Sequence, residues 1–246
     1  MNRPPKIMTY GETGGGKSTF AASMFKSAYL NPERILYLDN HGSTDALGLP
    51  LYVKGEHPWG VIRVPFDQPE LVRGTVEAVL KAARAGKPLF DGIAIDDISE
   101  HEMTSMDELA GESEARDMRQ VWGKHLSDLC TMTRQLEPAL TKAALIVVGR
   151  AGRLPDPMAK RDARKAVDDR PTVIRPLLRG KYGEWLPYFF DLIAWQSADI
   201  SETTATFTMH FRPHGDMLVK NRWLHRMPAS MTNPTYDAIW DLIKDA

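Results

Sequence analysis

Gly11-Glu12-Thr13-Gly14-Gly15-Gly16-Lys17-Ser18 is the stretch on which the fold turns. Its spacing is G-x-x-x-x-G-K-[ST], the pattern of a loop that wraps phosphate. Gly11, Gly14, Gly15 and Gly16 permit backbone angles and close approaches that a side chain forbids, so successive N–H groups can converge on phosphate oxygens. Lys17 offers an ammonium to β- and γ-phosphates, and Ser18 offers a hydroxyl to Mg²⁺. Glu12, Thr13 and Thr19 complete the cradle. The apolar run Ile7-Met8-Thr9-Tyr10 precedes the loop, and the helix-like run Thr19–Phe25 follows it. That is the strand–loop–helix context the pattern requires.

Outward from the loop, strand-like and helix-like segments alternate, which implies an α/β fold with a mostly parallel sheet covered by helices on both faces. Residues 34–39 form an apolar run ending in Asp39, and Asn40-His41-Gly42-Ser43 follow as a loop. Ligands of parallel sheets sit beyond the carboxyl ends of strands, which puts Asp39 and His41 on the relevant edge. Short apolar pieces at 51–53 and 61–64 lead to a helix from Pro69 to about Ala85, with Leu71, Val72, Val76, Val79 and Leu80 at helical spacing. Gly92-Ile93-Ala94-Ile95-Asp96-Asp97 is a strand running into acids. Asp96 is the candidate to hold Mg²⁺ beside Ser18. Asp97, on the other face of the strand or in the loop, could orient an attacking water, and Glu100 is a further candidate base. Residues 117–136 carry a helical pattern, with Met118 and Trp122 among its apolar positions. Ala143–Gly149 reads as a buried strand, and Arg150 at its end could sense a terminal phosphate or contact DNA or a partner.

Residues 150–181 hold ten basic residues against four acidic ones, in a chain of net charge −1. Prolines 155, 157, 171 and 176 interrupt any continuous helix there. A mobile basic loop leaving the catalytic edge, with Arg153, Lys160, Arg161, Arg164 and Lys165 along it, could follow a nucleic-acid backbone. Further on, residues 189–195 and 205–212 read as strands. Pro213-His214-Gly215-Asp216 then suggests a hairpin into 216–219, so that the parallel core ends in antiparallel edge strands. A last helix spans about 234–244.

With 246 residues, the chain is long enough for one α/β domain, taken as 1–246. Near-neutral charge removes any global pull toward nucleic acid, so such a surface must be local. Cys130 is the only cysteine, which excludes an intrachain disulfide. The apolar runs are too short to span a bilayer, and the first residues lack a signal-peptide core. Together these point to the cytoplasm.

Taken in order, G-E-T-G-G-G-K-S-T, Y-L-D at 37–39, G-I-A-I-D-D-I-S-E at 92–100, V-V-G-R-A-G at 147–152 and V-K-N-R at 219–222 resemble the RecA-like P-loop ATPases of phages. These are AAA-domain or phage nucleotide-binding proteins, among them the Sak-type single-strand annealing proteins. The resemblance implies an ATPase that uses ATP and Mg²⁺ in DNA recombination. It also implies a homo-oligomer, ring or filament, acting on single-stranded DNA inside a bacterial host, with a single-strand binding protein as a further partner. By position Lys220 and Arg222 match a basic pair that reaches a neighbouring subunit's nucleotide. One departure stands out: such enzymes place a glutamate soon after the second strand, where His41 stands here. The base is therefore open among His41, Asp97, Glu100 and Glu12. Two other functions fit the phosphate loop: an ATPase that acts on a protein partner, such as a helicase loader or assembly motor, and a nucleotide kinase.

Overall fold

The computed structural model describes residues 3–40, 42–52, 59–63, 70–87, 89–104, 142–156, 159, 170–178 and 180–245. Among them the chain runs β1 (Lys6–Gly11), α1 (Lys17–Ala22), β2 (Ile35–Asp39), β3 (Gly60–Arg63), α2 (Glu70–Arg84) and β4 (Gly92–Asp96). It continues through β5 (Ala144–Pro155), β6 (Thr172–Pro176), α3 (Gly180–Trp185), β7 (Leu192–Ile200), β8 (Ala205–His210), β9 (Lys220–Asn221), β10 (Ser230–Thr232) and α4 (Tyr236–Ile243). The expected helix at 117–136 lies outside the described residues.

The strands lie in the order β10-β8-β7-β1-β5-β4-β2-β3, and every pairing from β7 across to β3 is parallel. Parallel strands covered on both faces must be apolar on both, and the sequence meets that demand. Ile7, Phe20, Met24, Ile35, Tyr37 and Ile146 form a core with α1 and α4 on one face. Met8, Tyr10, Leu36, Ile93, Leu145 and Val147 form another with α2 on the opposite face. β1 lies at the centre of the sheet, with β5 between it and β4. This order places the phosphate loop and the acid-tipped β4 on one carboxyl edge with a single strand between them.

At the far edge β8 and β10 are antiparallel, as the sequence suggests, but the hairpin is a different one. β8 folds back on β7 through residues 201–204, with Ser197 opposite Thr208. Residues 216–219 do not pair with β8. Instead Met217 bridges to Ile174, and β9 pairs with the start of β7. Backbone hydrogen bonds from Ile174 N to Asp216 O and from Leu218 N to Ile174 O hold this path, and the Tyr10 hydroxyl lies between Leu218 O, at 2.7 Å, and Ile174 O, at 2.9 Å. Met217 and Val219 thereby pack on the α2 face, whereas Met209 and Phe211 are buried with α4. α4 starts at the cap of Thr235 Oγ1 on Ala238 N, and its Tyr236 N donates to Ser23 Oγ at 2.8 Å just beyond α1.

The basic segment 150–181 also differs from the expected loop in its two ends. β5 continues to Pro155 and pairs with β6 as an antiparallel hairpin, with Gly152 opposite Arg175. Arg175 is buried and donates to Pro155 O at 3.1 Å and Gly183 O at 2.8 Å, which ties the hairpin base to α3. Residues 160–169 lie outside the described residues.

Candidate functional site

Gly11 ends β1, and the loop from Glu12 to Gly16 carries the chain over into α1, where Phe20 N donates to Gly16 O at 2.9 Å. Gly16 needs to be glycine for two reasons. Its φ is 81°, which L side chains rarely adopt, and an added Cβ would lie 2.3 Å from the Phe207 ring. Glu12, Thr13 and Gly14 are exposed on the outer side of the loop, as is Thr19 on α1.

The Lys17 ammonium folds back over this loop, donating to Glu12 O at 2.6 Å and Gly11 O at 3.1 Å. Burial holds its pKa below the ordinary lysine value, with the charge of Arg150 acting in the same direction; Asp97, Asp96 and Glu12 pull it back up. Lys17 is therefore a partly desolvated cation aimed into the loop and flanked by both acids at the end of β4.

Asp96 is almost fully buried. Its Oδ2 accepts from Tyr37 Oη at 2.7 Å and Ser43 Oγ at 2.9 Å, and Ser18 also hydrogen-bonds the carboxylate. Burial pushes this carboxyl above the usual range, with Asp97's charge adding to the rise; the Ser18, Tyr37 and Ser43 hydroxyls oppose it by stabilising the ionised form. A serine hydroxyl against a buried carboxylate is a pair of hard oxygen donors. This suits Mg²⁺, which takes one or two protein ligands and completes its shell with phosphates and water.

Asp97 is occupied differently. Its peptide bond to Asp96 is cis. Its Oδ1 accepts from Ser99 N at 2.6 Å and Glu100 N at 3.2 Å, capping the helical run 98–104. Its Oδ2 lies 3.3 Å from Arg150 Nε. Arg150 Nη2 reaches Glu100 Oε2 at 2.5 Å, so one guanidinium spans both carboxylates. Of the candidate bases, Asp97 is taken up by its cap, Glu12 is exposed, and Glu100 stands buried against Arg150. His41 lies outside the described residues.

The other expected residues are not gathered here. Lys220 Nζ donates to Tyr188 O at 3.3 Å, and Arg222 pairs with the buried Asp191 at 2.7 Å. β9 pairs with Leu192 and Ile193, whereas the phosphate loop lies level with Gln196, so neither base reaches the loop of its own chain. Arg153 is exposed on β5 and pairs with Asp216 at 2.5 Å. Lys160, Arg161, Arg164 and Lys165 lie outside the described residues.

Neither Tyr37 nor Ser43 carries a local sequence signal: Asp39 accepts from Ser43 N and Thr44 N, four and five residues on, a span that no short turn pattern marks. A cavity of about 430 Å³ opens beside Gly16 and Thr19, walled by Phe20, Phe207, Leu49 and Gln196.

The sequence matches the AAA domain profile over residues 3–223. No curated protein matches it. Among solved structures, a KaiC-like protein from the hyperthermophilic archaeon Pyrococcus horikoshii OT3 is similar at 13% identity and a TM-score of 0.44, over 88% of this chain and 84% of that one. The profile spans the phosphate loop, β4 and the strand between them, and on that ground the chain belongs to the AAA domain family and is a P-loop NTPase.

Proposed function

We propose that this P-loop NTPase binds Mg·ATP at Lys17, Ser18 and Asp96, hydrolyses it, and couples that reaction to single-stranded DNA in recombination or strand annealing. The observation that carries the DNA coupling is the continuity of β5. One strand of twelve residues passes from the sheet core through Arg150, paired with Asp97 and Glu100, and on into the basic hairpin. A ligand that moves the hairpin acts directly on the carboxylates of the site. Arg153, Lys160, Arg161, Arg164 and Lys165 are the bases proposed to follow the DNA backbone, a contact that salt weakens.

In this reading Lys17 binds the β- and γ-phosphates, while Ser18 and Asp96 hold the metal. Mg²⁺ supplies neutralisation of phosphate charge. Glu100 accepts the proton of the attacking water, and Arg150 fixes the orientation of that carboxylate. The largely apolar cavity beside Gly16 has the size of a small-molecule site and takes the nucleoside end. Lys220 and Arg222, out of reach of their own loop, act on a neighbouring subunit's nucleotide in a homo-oligomer.

The test is ATP hydrolysis with and without single-stranded DNA, at low and moderate salt. The expected result is stimulation by DNA that fades as salt rises. Turnover indifferent to DNA would overturn the coupling and favour a protein partner for the hairpin.

Asp96→Asn is expected to separate stability from turnover. A carboxyl whose pKa is raised on folding binds more protons in the folded state, so its contribution to stability declines as pH rises from the ordinary carboxylate range through the raised value. The amide removes that cost. Its thermal midpoint at neutral pH is expected to equal or exceed that of the parent, while metal-dependent turnover falls roughly 100-fold or more. A lower midpoint together with retained turnover would refute the metal-side role of Asp96.

A further inference from the structure

The structure assigns Tyr37, Ser43 and Asp39 to a hydrogen-bonded relay that fixes how Asp96 meets the metal, with each of the three acting as a positioning residue. This rests on the placement of Mg²⁺ at Ser18 and Asp96.

β2 and β4 are parallel neighbours, with Asp39 level with Asp96 and Tyr37 level with Ala94. The Tyr37 side chain therefore starts one strand over and two residues back, and its hydroxyl reaches forward to Asp96 Oδ2 at 2.7 Å. Ser43 approaches the same oxygen at 2.9 Å from the loop beyond β2. Two hydroxyls on one carboxylate oxygen select a single rotamer and favour the ionised form.

Asp39 holds Ser43 in position. Asp39 is buried, and its Oδ1 lies 3.2 Å from both Ser43 N and Ser43 Oγ. Its Oδ2 accepts from Thr44 N at 3.0 Å and Thr44 Oγ1 at 2.5 Å. The carboxylate that the sequence put on the ligand edge thus closes the turn and bears on the metal site through Ser43. The arrangement parallels the outer hydrogen bonds that orient metal ligands generally, whose loss costs about 10–100-fold in metal affinity.

A purely structural network would predict lost stability and nothing specific to the metal. The test therefore separates metal binding from nucleotide binding in the full chain. Mn²⁺ binding is measured by electron paramagnetic resonance in the presence of ADP. Binding of a fluorescent ADP analogue is measured separately in excess chelator. Tyr37→Phe keeps the ring and its packing and removes only the donor. Tyr37→Phe and Ser43→Ala are each expected to weaken Mn²⁺ binding about tenfold, with metal-free nucleotide affinity unchanged. Asp39→Asn should reproduce Ser43→Ala, and the double variant should add nothing further, the mark of two residues acting through one contact. Unchanged Mn²⁺ binding in Tyr37→Phe and Ser43→Ala would overturn the relay, as would a parallel fall in metal-free affinity. A parent protein whose ADP affinity ignores Mn²⁺ would remove the metal assignment itself, and the relay with it.

Discussion

Lys17→Ala is expected to reduce ATP turnover by about 10³-fold while leaving the fold intact, since one preorganised donor to transition-state charge is worth about 3–4 kcal/mol. The ammonium already lies inside the phosphate loop, 2.6 Å from Glu12 O and 3.1 Å from Gly11 O, so little reorganisation separates this position from a bound phosphate. Its partial burial, which lowers the pKa, also means that its charge is poorly screened and acts strongly on any anion placed there. Its contacts in the free protein are to loop carbonyls rather than to the cores, which include neither Lys17 nor its partners. Truncation should therefore move the thermal midpoint only slightly. Steady-state phosphate release and a melting curve on the same preparation check both halves. A variant retaining a tenth of the parent's turnover would show that Lys17 is not the phosphate clamp.

Gly11→Ala is expected to be the most destabilising single-methyl change in the loop. An added Cβ would stand 2.0 Å from Gln196 O and 3.1 Å from Gln196 C. These are backbone atoms of β7, parallel to β1 and paired with it at this residue, so no side-chain rotation relieves the clash. The strands must separate where the sheet feeds the phosphate loop, at a cost of about 4 kcal/mol or more. For a chain of this length that is a fall of roughly 10 °C in thermal midpoint. Gly48→Ala is the contrast: its φ is 61°, yet nothing lies within 4 Å of the new methyl. Only the backbone preference is lost there, about 1 kcal/mol. Equal melting temperatures for the two variants would refute the steric account.

The roles of three acids show how far residue type carries. Asp39, Asp96 and Asp97 each follow an apolar run and look alike in the sequence. In the fold Asp96 meets Ser18, Asp97 caps a helix and pairs with Arg150, and Asp39 closes a turn. The difference arises from strand alternation and from which neighbouring loop folds over each carboxyl. Neither is written in the local spacing. The β8 hairpin is a similar case. Pro213-His214-Gly215-Asp216 is a legitimate turn signal, but backbone hydrogen bonds with Ile174 hold residues 216–219 against β6 instead.

Elements whose causes are local are legible in the residues alone. The glycine-rich loop with Lys17 and Ser18, the apolar strands running into acids, the amphipathic α2 and the class of fold all follow from backbone permissiveness and hydrophobic period. The folded sheet sets what depends on residues far apart in the chain. It extends β5 into the basic segment, pairs Arg150 with Asp97 and Glu100, and brings Tyr37 and Ser43 onto Asp96. It also sets β9 against the start of β7, away from the loop. Spacing along the chain encodes which face a residue takes. The order of strands in the sheet decides which faces meet, and that order is fixed by how the whole core packs.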